Sequence, residues 1–592
     1  MRRLALLASI LAPLYVHAGE PVCRTPIHST ITAPLITGRD VVCEPIVAAK
    51  DSVCVALASD TRASLRGTGA FALDKHDIWS MGLSGGVAGN FRELDFNGDG
   101  FLDTPRILDV NLRNFWHKTL RGGAFVHFGF AGCLNNVRDG QTGSDDVLTT
   151  ILPFDKVRGT LKSGHWQSRV QTLDGAASVR VFVPFYGNGD LDLSLCGTMG
   201  SRQSTYGNDH LLPQLATIYY GANSTAKPNP VCRTYDAIGS NVDLSAVYRN
   251  DELLQHHFRL GLDANMEHLR SMYCNLDSGT ADREALTELR ASAAYTFLSA
   301  DPDRFRATAG TDVNGYLWHG VRVNPFVDIE YRPADPVAIK AFARRTSRWS
   351  IPLDEHADVL STFKPVSGDF IFHAMEAAVD AGASAEWHSG KCSASLSYLH
   401  RRYTDQTVLD YGDGSGIAFR TIGADDRSSD DIISCTFRAE PVDRLLLSLS
   451  GRYDDSRLTL PGRSDDLRPM TSRWNASCAL DYSTRGRRWL FSASAALNGP
   501  MRVWDFMKEF HHAYADGFTP VYPIVNARIT RRGWWADVFV EGENLTGYVQ
   551  PLPVIGADKP FEPGFDASLI WGPVLGRRIN IGINFIINKK KK

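Results

Sequence analysis

The stretch DFNGDGFLD, Asp95 to Asp103, places an oxygen ligand at every second position, the arrangement with which a calcium loop of the EF-hand kind begins. Asp95, Asn97 and Asp99 fill loop positions one, three and five, Gly100 supplies the sharp turn, Phe101 a backbone carbonyl, and Asp103 position nine. Calcium is therefore the one cofactor for which the sequence offers a ligand set. The twelfth position departs from the pattern. It is Arg106, a cation where a bidentate Glu belongs, and Pro105 before it opposes a helix running on from the loop. Asp, Asn and Gly at this density also build tight turns without any ion.

Other chemistry is sparse. His256-His257 and His511-His512 are candidate metal or haem ligands, but neighbours on an extended strand point to opposite faces, so each pair then offers at most one ligand to a given site. No nucleophile with a spaced base, no Gly-rich phosphate loop and no paired-cysteine zinc spacing occurs, so no catalytic residue is assigned and an enzyme is not expected. With 43% hydrophobic residues, 22% charged residues and a formal net charge of -3, the 592-residue chain is neither disordered in bulk nor a polybasic partner of nucleic acid.

The elements that must carry these residues begin with an export signal. Arg2 and Arg3 precede the apolar run LALLASILAPLYV, and Val16-His17-Ala18 fits a small-residue cleavage site, which makes residues 1–18 a signal peptide. No later segment holds about 20 consecutive apolar residues, so a helical span is not expected. An exported soluble protein and a membrane β-barrel remain.

Period-two alternation favours the barrel. Leu108, Val110, Leu112 and Trp116 share one face of a strand against Asp109, Asn111, Arg113 and His117. Leu191, Leu193 and Leu195 repeat the pattern, as do Phe258, Leu260 and Leu262, and finally Ile579, Ile581, Ile583 and Phe585. In the second half, short polar breaks at His388-Lys391, Glu440-Arg444, Thr484-Arg487 and Arg531-Gly533 alternate with long ones. The long breaks run from Tyr403 to Asp431, Asp454 to Arg473, Asn498 to Tyr522 and Asn544 to Arg577. Short turns on one rim and long loops on the other characterise outer-membrane barrels, with an apolar face toward lipid and a polar interior. A hairpin spacing of about 45 residues gives a large antiparallel transmembrane β-barrel of roughly 22 strands over residues 51–588. A basic tail, 589–592, follows. An aromatic content of 10% suits interfacial girdles.

Ten cysteines invite a disulfide reading, and Cys43 with Cys54, or Cys232 with Cys274, are pairings that spacing alone does not decide. Cys392, Cys435 and Cys478 recur every 43 residues on the apolar faces of successive hairpins, where they read as small lipid-facing residues.

The run TPVYPIVNARITRRGWWADVFVEGENLTGYVQPLPVIGADKPFEPGFDASLIWGPVLGRRINIGINFII resembles the C-terminal barrel end of TonB-dependent outer-membrane receptors. GENLTGY is similar to the family's penultimate strand and loop start, FDASLIWGPVLGRR to the approach to its last strand, and NGDGFLDTPRILDVNLRNFWHKT to an early barrel loop and strand. The resemblance implies location in the outer membrane of a Gram-negative bacterium and uptake of a scarce nutrient such as an iron chelate, haem or cobalamin. It implies outer-membrane lipid, a small nutrient ligand and TonB as partners. It also makes the long loops extracellular, so that DFNGDGFLD joins two strands and is no regulatory EF-hand switch. Such receptors carry a plug domain of more than a hundred residues, whereas residues 19–50 form only a short segment in its place. A separately encoded plug, a degenerate or split receptor and a plugless passive pore are the readings this leaves open. An exported adhesin or carbohydrate-binding β-protein is the non-transport alternative; it needs the apolar faces to form a core. The ligand-binding residues are not identified by sequence.

Overall fold

The computed structural model describes residues 52–588 except 62–63, 76–77, 91, 144–164, 186–188, 208–231, 254, 275–278, 302, 318, 369–370, 423–426 and 460–466. The expected signal peptide, the 19–50 segment, Cys43 and the tail 589–592 lie outside the described residues.

The chain forms a closed antiparallel barrel of 22 strands. In chain order the strands are β1 (Ser52–Asp60), β2 (Ser64–Lys75), β3 (Trp79–Asn90), β4 (Arg106–Thr119), β5 (Phe125–Gly140), β6 (Gln167–Pro184), β7 (Gly189–Gly207) and β8 (Cys232–Leu253). They continue as β9 (His256–Cys274), β10 (Gly279–Leu298), β11 (Phe305–Tyr316), β12 (Gly320–Ala334), β13 (Val337–Ser350), β14 (Val366–Ser367), β15 (Ala374–Ser389) and β16 (Cys392–Asp410). The last are β17 (Ile417–Ile422), β18 (Ser428–Val442), β19 (Leu445–Leu458), β20 (Trp474–Ser483), β21 (Trp489–Asn498), β22 (Tyr522–Arg532), β23 (Ala536–Glu543) and β24 (Arg578–Asn588). Each barrel strand pairs with the next, and β1 closes the wall against β24, Val55 opposite Phe585. Strands β14 and β17 stand outside the wall and pair in parallel within the loops.

The alternation read from sequence is the alternation observed. Leu57, Leu112, Leu195, Leu262, Leu396 and Ile581 are exposed on the outside, where lipid replaces water. The other face carries cation–carboxylate pairs along the lumen, among them Arg180–Asp192, Arg290–Asp263 and Arg401–Asp380. Cys435 lies opposite the outward Leu396 and Cys478 opposite the outward Leu449, in line with the expected lipid-facing cysteines. Cys274 stands opposite Thr234, two positions from Cys232 on the adjacent strand. Trp534, at the β22–β23 turn, is 92% exposed, a placement that suits a membrane-interface anchor.

In the second half loop lengths sort by rim as expected, whereas the long-loop rim of the first half also carries short connections at 61–63, 275–278 and 317–319, and some strands run further than the breaks suggested. The break assigned to Tyr403–Asp431 is largely strand: β16 continues to Asp410, β18 starts at Ser428, and β17 lies between. Strands of 19 to 22 residues, such as β7 and β8, exceed the roughly 9–11 needed to cross a bilayer. Beyond the membrane no face needs to be apolar, so alternation fades while the hydrogen-bond ladder persists. β16 also slips register where Ala377 and Ala378 face Asp405 and Tyr403, and this bulge exchanges its inward and outward positions.

Candidate functional site

DFNGDGFLD joins β3 to β4, strand to strand, as expected. Its polar atoms serve the loop itself. Asp95 accepts from the backbone N–H groups of Gly98 at 2.7 Å and Gly100 at 3.0 Å, Asn97 from Asp99 at 2.9 Å, Asp99 from Phe101 at 2.8 Å, and Asp103 from Phe96. These are the turn-forming bonds that Asp and Asn make. Among the described residues no group of three or more His, Cys, Asp or Glu side chains is placed to hold an ion. Burial pushes the Asp103 carboxyl up to about 6, with Asp99 and Asp95 adding to the rise, and burial also raises Asp99.

Phe101, chosen from sequence only for its carbonyl, contributes its ring instead. The ring is buried, stacks on Phe565 with centroids 5.6 Å apart, and lies 5.9 Å from Trp166, which itself approaches Phe565 at 4.9 Å. Three loops thereby meet, those after β3, β5 and β23. A fourth, between β13 and β15, adds the helical turn α1 (Pro352–Glu355) and a 3-10 turn (Ala357–Ser361), whose Leu353, Val359 and Leu360 are wholly buried. Its backbone docks on the β23–β24 loop: Phe363 N–H donates to the Phe565 carbonyl at 3.2 Å, and Ala567 N–H to that of Ser361 at 3.1 Å.

Beside this junction lies a buried ion pair. Lys364 Nζ is 2.7 Å from Asp566 Oδ2, with side-chain exposures of 2% and 0%. Such a pair offsets its desolvation only when its remaining hydrogen-bonding capacity is met. Asp566 Oδ1 accepts from the Ser568 N–H and hydroxyl, and the Lys364 ammonium sits 4.0 Å from the Phe506 ring centre. From the barrel wall, Arg233 of β8 donates to the carbonyls of Thr362 at 2.8 Å and Lys364 at 2.5 Å. Tyr411, in the β16–β18 loop, is 2.9 Å from the Ser568 hydroxyl, and burial raises its phenol far above the usual range. Trp571 Nε1 donates at 3.1 Å to Tyr514, whose hydroxyl donates to the Pro551 carbonyl and is pushed by burial up to about 12.

These loops form a single hydrophobic core that also takes in Val170, Tyr235 and Tyr273 of β6, β8 and β9 and, far around the barrel, Leu458 and Tyr522 of β19 and β22. The core therefore bridges the mouth at the long-loop rim. Two glycines permit its close approaches. Gly140 has φ 132°, and a Cβ there would lie 2.4 Å from the Trp166 carbonyl; Gly414 has φ 89°, and its Cβ would meet the Phe506 ring at 2.6 Å.

Next to the core, Arg468, Arg473 and Arg502 line a narrow cleft with Asp454, Ser456 and Thr471. Arg468 also reaches Asp430 at 3.2 Å. Burial would raise Asp505, yet Arg502 at 2.8 Å and Lys508 at 2.9 Å draw its carboxyl down to about 2. Each of the three arginines has a carboxylate beside it, Asp430, Asp455 or Asp505, and the cleft, about 10 Å³, is the size of a single water. Neither histidine pair joins the core's polar junctions. His256 lies 2.6 Å from the Tyr295 hydroxyl and His257 pairs with Asp251. Of the second pair, His512 departs from the extended geometry considered for it and opens a 3-10 turn, which His511, itself extended, caps as its Nδ1 accepts the Ala513 N–H; the two ring centres are 4.2 Å apart.

Sequence reading missed Trp166, Arg233, Lys364, Tyr411 and Asp566 as site residues. Phe565 and Asp566 lie in the FDASLIWGPVLGRR motif, so their segment was singled out although their contacts were not.

No family model and no curated protein matches the chain. Solved structures do. The barrel is similar to that of the copper transporter OprC, with TM-score 0.61 and 13% identity over 90% of this chain and 80% of that one. It is similar to the ferric enterobactin receptor PfeA in complex with BCV-L6, with TM-score 0.61 and 12% identity over 92% and 82%. The siderophore receptor PirA from Acinetobacter baumannii gives TM-score 0.60 and 10% identity over 92% and 81%. At these identities the likeness shows the fold alone, a large antiparallel β-barrel of the architecture that the C-terminal motif implied.

Proposed function

We propose that this chain is the barrel of an outer-membrane receptor that captures a scarce nutrient at its outer mouth and passes it inward with energy relayed through TonB. The observation that carries the reading is the loop core across the mouth, tied by the buried Lys364–Asp566 pair. A passive pore has no need to pack its loops together over its own lumen. Iron chelates, haem and cobalamin are the candidate ligands. The names of the similar structures, which include receptors for siderophores and a copper transporter, favour a metal chelate among them.

Planar-bilayer conductance of the purified full chain tests the reading. A receptor whose loops hold its mouth is expected to insert without steady open steps and to bind a ferric chelate, haem or cobalamin in a spectroscopic titration. Large, steady conductance with none of the three bound would make the chain a plugless pore.

A further inference from the structure

On adjacent strands β4 and β5, His117 and His127 stand directly opposite each other. The outward side chains here are Leu112, Trp116, Phe128 and Phe130, all exposed to the lipid side, so the alternating positions 117 and 127 face the lumen. The two imidazole centres are 4.6 Å apart with ring planes at 64°. A metal about 2.0 to 2.1 Å from one nitrogen of each ring lies about 3.2 Å from each ring centre, so two rings on one ion have centres about 4.5 to 5.2 Å apart at angles of about 90 to 109°. The observed spacing falls in that interval.

Two further features point to a ligand. Nδ1 of His127 is buried and has no hydrogen-bond partner, whereas a ring nitrogen buried only for packing ordinarily finds one. His117 Nε2 lies 3.0 Å from the Thr119 hydroxyl, the kind of bond that orients a ligating imidazole through its second nitrogen. The rings are held in place by aromatic neighbours: Phe125 stacks on His127 at 4.5 Å, Phe115 meets its edge at 5.2 Å, and Phe182 stacks on Phe125 at 4.8 Å. The facing cation, Arg180 on β6, binds both carboxylate oxygens of Asp192 at 2.8 and 2.6 Å, so its charge is met by Asp192.

We propose that His117 and His127 form a two-nitrogen site on the lumen wall, near the short-turn rim, for a borderline transition-metal ion of the copper(II), nickel(II) or zinc(II) class, with lumen water completing the coordination. The site is separate from the outer mouth and does not depend on which nutrient is taken there.

Copper(II) titrated into the purified full-length barrel tests this by electron paramagnetic resonance. One equivalent is expected to give a species with two imidazole nitrogens. His117→Gln and His127→Gln are each expected to leave one nitrogen and to weaken binding about tenfold or more. An identical spectrum and affinity in the double variant would place copper elsewhere and overturn the site. Where a variant fails the heat-dependent gel shift of a folded barrel, the wild-type protein decides instead: zinc(II) is expected to shield His117 and His127 from carbethoxylation, read by peptide mass, and equal labelling with and without zinc(II) overturns the proposal.

Discussion

Asp103 is buried among carboxylates and accepts a backbone N–H, so its charge is tolerated at a cost. Its carboxyl rises from the ordinary 3.8 to about 6, which means that the folded loop holds a proton that the unfolded loop has released. Stability from this group is full below about 4 and is lost as pH rises through about 6. Residues 92–105 are therefore expected to exchange amide hydrogen about threefold more slowly, or better, at pH 5 than at pH 7.5 after correction for intrinsic rate. Asp103→Asn, which keeps an acceptor for Phe96, is expected to give the slow behaviour at both pH values. A calcium-held loop requires the reverse: calcium at pH 7.5 slows exchange and Asp103→Asn abolishes the effect.

Strands answer to which face a side chain occupies. Leu396 and Ser397 are neighbours on β16, the first outward and exposed to lipid, the second on the lumen side of the ladder. Leu396→Arg is expected to cost about 2 to 4 kcal/mol, more the nearer the position lies to the bilayer midplane, whereas Ser397→Arg should fold almost as wild type. Urea unfolding in lipid, followed by the gel shift of the folded barrel, measures both. Equal losses would mean that the register of β16 against β15 and β18 is wrong. The bulge in β16 beyond Tyr403 limits this argument to the lower part of the strand, since above it inward and outward exchange.

Across the whole molecule, the wall and the mouth depend on different forces. The wall is closed by backbone bonds from β1 to β24, which leave no edge to satisfy in lipid. At the mouth, loops far apart in the chain meet through their side chains, and Lys364 and Asp566 are buried beside that core. Lys364→Met leaves Asp566 buried without its cation and is expected to destabilise the loop core by about 3 to 5 kcal/mol, whereas Lys364→Met with Asp566→Leu should be nearly neutral. The single variant should show intermittent conductance steps that are absent from wild type, with the barrel itself intact. Identical records for wild type, single and double variants would mean that the ion pair does not hold the mouth.

The class of fold was legible in the sequence because lipid imposes a local rule. Every membrane-crossing strand must alternate, and a chain bound to alternate its turns between two compartments sorts their lengths, so Leu191 to Leu195 or the 43-residue cysteine spacing could be read residue by residue. The candidate site followed no such rule. Asp95 to Asp103 were visible as oxygens at the right spacing, yet whether those oxygens face an ion or their own N–H groups depends on how the loop closes. Phe101 meets Phe565, Lys364 meets Asp566, and the buried imidazole nitrogen of His127 becomes a ligand candidate only because β4 and β5 pair in one register. These contacts join segments whose local patterns carry no record of each other. Alternation is enforced at each strand by its solvent, but the loop core and the histidine pair exist only once the barrel has closed and brought its distant segments together.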